Sequence, residues 1–171
     1  MLAGVIFLAH LDRAPTCRTA DSRLERLIST TAAAERAIEY CQARLYHTID
    51  DLDGDGRDDF IVVFAVEAVM GNNSMQYLAV LPSGANWRPS VLKVGERGQR
   101  FIEGIDVQDG HIIVLETSEY GRGDAMCCPS VDGELRFTLI GGRIVGASSA
   151  PPKNDMQPTR SASSRHRGPR S

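Results

Sequence analysis

Five aspartates fall within nine residues, Asp51, Asp53, Asp55, Asp58 and Asp59, with Gly54 and Gly56 between them and Phe60-Ile61-Val62-Val63-Phe64 immediately after. Few features restrict a chain so tightly. Unit charges a few Å apart repel by on the order of 1 kcal/mol per pair even in water, so such a segment has to stay at the surface and be neutralised by something positive. The apolar run that follows is rich in β-branched and aromatic residues and has to be buried as a strand. Asp51, Asp53, Asp55 and Asp59 stand at positions 1, 3, 5 and 9 of a calcium loop, with the carbonyl of Arg57 at position 7. Gly56 occupies position 6, where the backbone must turn sharply around the ion. Position 12 is Val62, where a helix-loop-helix site carries a bidentate Glu. The expectation is therefore a strand-loop-strand site for Ca²⁺, favoured over Mg²⁺ because the ligands are numerous, flexible and all oxygen. Its role is expected to be structural.

The stretch from Tyr46 to Ala65 resembles the D-x-D-G-D-G-x-x-D calcium loops of FG-GAP and VCBS-type repeats in extracellular β-rich proteins. The resemblance implies a metal loop between two strands. Those families carry several such loops in propellers, whereas this chain has one, with Asp106-Val107-Gln108-Asp109-Gly110 as a degenerate echo.

Around the loop the apolar pattern changes period. Ser22-Arg23-Leu24-Glu25 has capping-box spacing, and Leu27, Thr31, Ala34, Ile38, Cys41 and Leu45 recur at steps of three or four. This predicts a helix of up to about six turns, which Thr30 and Thr31 could divide. Beyond Leu45 the period is two. Strands are predicted over 60–66, 76–81, 90–94, 101–107, 111–117, 134–140 and 143–147, with tight hairpins at Asp109-Gly110 and Gly141-Gly142. The fold class is α+β and mostly β: an antiparallel sheet or small sandwich with one N-terminal helical segment.

At 171 residues, 42% of them hydrophobic, the chain suits one domain, placed at residues 19–148. Residues 149–171 are Ser, Pro and Arg rich and predict a disordered tail. The formal charge of -3 conceals five basic residues in that tail, so the body is more acidic than the whole. An acidic body argues against nucleic acid as a partner. Residues 1–18 include the short apolar run Leu2 to Leu11, long enough for the core of an export signal and too short to span a bilayer.

Cys17, Cys41, Cys127 and Cys128 allow three pairings. Because a bond between neighbours closes a strained ring, Cys17 and Cys41 are expected to pair with Cys127 and Cys128, in an order left open. Periplasmic or secreted export fits two disulfides; free thiols in the cytoplasm are the alternative. His47 and His111 read as strand residues, and no nucleophile elbow or phosphate loop supports an active site. The expected function is calcium-stabilised, non-enzymatic binding of a protein partner. By analogy with bacterial periplasmic modules, the partner could be a cell-wall hydrolase that this chain inhibits or confers immunity against. A hydrolase with an unadvertised site and a cytoplasmic calcium sensor are the rivals.

Overall fold

The computed structural model describes residues 21–49, 51–70, 72–84 and 88–147. It holds one helix, α1 (Ser22–Ala34), and eight strands: β1 (Ala37–Ile49), β2 (Asp59–Ala68), β3 (Ser74–Leu81), β4 (Ser90–Glu96), β5 (Arg100–Gln108), β6 (Ile112–Glu119), β7 (Val131–Ile140) and β8 (Arg143–Gly146). The strands form an antiparallel meander in chain order. The expected segments at 1–18 and 149–171 lie outside the described residues.

The helix is shorter than its apolar periodicity predicts. Asp21, rather than Ser22, is the N-cap, its carboxylate accepting the Arg23 N–H at 2.8 Å. The buried face is Leu24, Ile28 and Ala32. Thr30 and Thr31 do not break the helix, because their hydroxyls donate back to the carbonyls of Arg26 and Leu27. It ends at Glu35, and Arg36 turns the chain at φ 53°. Ile38, Cys41 and Leu45 then belong to β1, which pairs with β2 from Ala37↔Ala68 to Ile49↔Asp59. A 13-residue helix is marginal alone. Pairing with β2 therefore outweighs any extension of the helix. The Tyr77 hydroxyl fastens the helix end by donating to Glu35 Oε1 at 2.7 Å, and burial together with this bond raises the tyrosine pKa.

The meander doubles over between β4 and β5, which share a single pair, Glu96↔Arg100. β2 and β3 consequently have apolar neighbours on both faces. Val62, Phe64, Val66, Tyr77 and Ala79 pack with Leu24 and Ile28 of the helix. Ile61, Val63, Leu78 and Val80 pack instead with Ile102, Ile113, Leu115 and Phe137 of the second half. Burial on both sides explains why the run after the aspartates is continuously apolar rather than alternating, since each large side chain buried there is worth about 1.5–3 kcal/mol. At the fold-over Gln76 replaces the missing ladder: its side chain accepts the Ile102 N–H at 2.7 Å and donates to the Ile102 carbonyl at 3.1 Å.

Both predicted hairpins are present. Asp109 and Gly110 have φ 53° and 70°, and Gly141 and Gly142 have φ 57° and 76°. These left-handed pairs match the right-handed twist of the strands they join.

Glu39 of β1 offers a pH test of the helix-sheet layer. Burial, then the charge of Glu25 on α1, pushes its carboxyl up to about 7 from 4.5. The native state therefore holds this proton more tightly than the unfolded chain. Its contribution is full below the unfolded value and is lost as pH rises through the folded one. Glu39→Gln is expected to flatten the fall in stability between about pH 5 and pH 8. Urea midpoints of both proteins across that range check this, and parallel profiles would show that Glu39 does not control it.

Candidate metal centre

The acidic loop joins the end of β1 to the start of β2, so it is a strand-loop-strand element, as expected. Gly54 and Gly56 adopt φ 82° and 81°, conformations that bend the chain back on itself and that a Cβ would resist. The curl directs backbone N–H groups inward. Asp51 accepts from Gly54 at 2.7 Å, Asp55 at 2.8 Å and Gly56 at 2.9 Å. Asp53 accepts from Asp55 and Asp55 accepts from Arg57.

Asp51, Asp53 and Asp59 each bring a carboxylate oxygen to within 4.8 Å of the other two, a group that could hold a metal ion. Oxygen ligands at calcium distances of 2.3–2.6 Å lie at most about 5 Å apart across the ion, so the spacing fits. The donor set fits as well. An ionised carboxylate offers roughly four lone-pair sites, and the N–H bonds leave some on each residue. The Asp53 pKa is raised, first by partial desolvation of its carboxylate against the loop and then by the charges of Asp59 and Asp55. The loop thus holds more negative charge than its N–H donors neutralise.

Of the sequence-predicted ligands, Asp51, Asp53 and Asp59 make up this group. The Asp55 carboxylate lies beside Gly84, where a Cβ would collide with it, and it is not part of the three-residue group. Arg57 is exposed and donates its N–H to Asp55. Asp59 has a second task that spacing does not disclose. It is fully buried, and its two oxygens accept the Leu52 N–H at 2.9 Å and the Ser83 N–H at 2.8 Å. The Ser83 hydroxyl also donates to the Asp58 carbonyl. The acidic loop and the β3–β4 connection are therefore pinned to each other.

The cysteine pairing departs from expectation. Cys127 is bonded to its neighbour Cys128, and Cys41 is also disulfide-bonded; Cys17 lies outside the described residues. Local closure explains the neighbour bond. Asp124 accepts the N–H groups of Gly121 and Ser130 and the Ser130 hydroxyl, while the Cys128 N–H returns to the Ala125 carbonyl at 2.9 Å. These bonds hold Asp124 below the usual carboxylate range and fold 121–130 into a compact loop with the cysteines at its turn. Adjacent residues also need no long loop to be closed. The Gly121-Arg122-Gly123-Asp124 segment is thus the frame of that loop. His111 sits at the β5–β6 turn, its Nδ1 2.6 Å from the Asp109 carbonyl oxygen.

The fold and site define a class: a helix-backed antiparallel meander with an acidic strand-loop-strand centre at one end. No protein-family model, no curated protein and no solved structure matches the chain.

Proposed function

We propose that this chain is an exported, non-enzymatic calcium-binding module that works by engaging a protein partner, with the cation stapling the loops at one end of the fold. The observation that carries this reading is the convergence of Asp51, Asp53 and Asp59 on one point of a loop whose other contacts already tie it to the β3–β4 connection. Ca²⁺ is the ion best suited to such an all-oxygen, flexible set. Export is supported by the disulfide-bonded cysteines, which persist in oxidising compartments. Among the described residues no helix is long and apolar enough to cross a membrane. A protein partner is supported by the opposite end of the fold, where Met70, Val69 and Met126 are exposed. The inhibitor or immunity role is the specific form of this proposal, and nucleic acid is not among the partners proposed.

The test is calorimetry with Ca²⁺. One site with a Kd between about micromolar and millimolar is expected, the span from sensors to extracellular modules. Asp53→Ala should weaken it by at least about tenfold, because a ligand is removed without disturbing a buried hydrogen bond. No heat at millimolar Ca²⁺, or an unchanged titration for the variant, rejects the calcium reading.

A further inference from the structure

An open cavity of about 750 Å³ lies beside the acidic loop. Asp53 and Asp55 line it from that loop, Pro82 and Arg88 from the β3–β4 connection, and Arg143 from the first residue of β8. Its walls are held together without any ligand. Ser83 N–H is bonded to Asp59, and the Ser90 hydroxyl accepts the Ile144 N–H at 2.9 Å, which fixes β8 beside the start of β4. The second bond brings the residues adjoining Arg88 and Arg143 together, although 55 positions separate the two arginines in the chain.

Both guanidinium groups are on exposed residues, and neither has an ion-pair or side-chain hydrogen-bond partner among the described residues. Asp53 and Asp55 line the same cavity, yet no ion pair forms across it. A guanidinium presents a planar fork of donors that matches a carboxylate or phosphate. The volume lies in the range of small-molecule sites and exceeds what one inorganic ion fills.

We infer that this cavity binds a small oxyanion-bearing molecule, of about monosaccharide to disaccharide size, through Arg88 and Arg143. The inference rests on the calcium reading above in one respect: a cation at the acidic loop cancels the field of the neighbouring carboxylates, which would otherwise repel the anion. Binding is therefore calcium-assisted. The shared chemistry is the oxyanion, whether it comes from a carboxylated or a phosphorylated sugar.

The test is calorimetry on the full chain with digalacturonate as the carboxylate probe, glucose 6-phosphate as the phosphate probe and maltose as the neutral control. Calcium is titrated first and separately. With calcium present, at least one oxyanion probe should bind at a single site while maltose does not, and the responding probe identifies the source of the oxyanion. The double variant R88A/R143A should lose about tenfold or more in probe affinity, as charge-assisted hydrogen bonds imply. It should still bind one calcium, no more weakly than the parent, and melt close to the parent's temperature, which separates loss of the site from loss of the fold. A normal calcium isotherm with no response to either probe overturns the inference alone. Unchanged probe binding by the double variant, or equal probe affinity in calcium and in chelator, also overturns it. An absent calcium isotherm overturns the metal reading instead.

Discussion

Chelating calcium is expected to lower the melting temperature of the protein by roughly 5–20 °C while leaving its far-UV circular dichroism at 25 °C almost unchanged. An ion that binds only the native state stabilises it by RT ln(1 + [L]/Kd), about 2.7 kcal/mol at a hundredfold excess over Kd. For a domain between about 100 and 150 residues each kcal/mol moves the midpoint by about 2–8 °C. The spectrum should hold because the strands on either side of the loop do not depend on the ion. β2 is buried on both faces, and the loop's own N–H bonds to Asp51 are already made. What the ion removes is the repulsion among Asp51, Asp53 and Asp59. Thermal melts in calcium and in chelator, with a hydrophobic dye added, decide between a staple and a sensor. A midpoint indifferent to chelator, together with dye binding that rises with calcium, would replace the staple by a sensor.

Asp59→Ala should destabilise the protein by about 2–5 kcal/mol, and most of that loss should remain in chelator. The wholly buried carboxylate accepts the N–H groups of Leu52 and Ser83, so truncation strands two donors away from water. Each stranded donor costs about 1–3 kcal/mol. Asp53→Ala is the contrasting case. Its side chain is exposed and accepts only a local N–H, so the variant should lose the response to calcium yet match or exceed the parent's stability in chelator. Urea unfolding of both variants with and without calcium separates the two roles. An Asp59→Ala protein as stable as the parent in chelator would reduce Asp59 to a metal ligand alone.

The parts of the fold legible in the sequence are those that short-range chemistry dictates. Seven of the eight strands follow from short runs rich in Val, Ile and Phe between turn residues, and both tight hairpins follow from residue pairs that tolerate positive φ. The acidic loop was readable because alternate residues on a curled backbone converge, and spacing alone predicts that convergence. β1 was not readable in the same way. Ile38, Cys41 and Leu45 fit a helical stripe as well as a strand, and the choice was made by pairing with β2, whose position the local sequence does not encode.

What the sequence by itself determined, then, was the mostly β class, the place of the turns and the residues able to approach a cation. Tertiary structure alone decided what else those side chains touch. Asp55 turns to Gly84, and Asp59 serves the β3–β4 connection, because a loop further along the chain folds against theirs. It also decided that Cys127 bonds Cys128, since Asp124 gathers 121–130 into one compact turn. The same holds for Arg88 and Arg143, unremarkable in sequence, which share a cavity because the meander doubles over between β4 and β5 and lays β8 against β4. The reason is physical. Spacing along the chain controls which groups meet within one turn or hairpin, whereas contacts between distant segments are set by how the two apolar faces of β2 and β3 are covered, and only the assembled core specifies that.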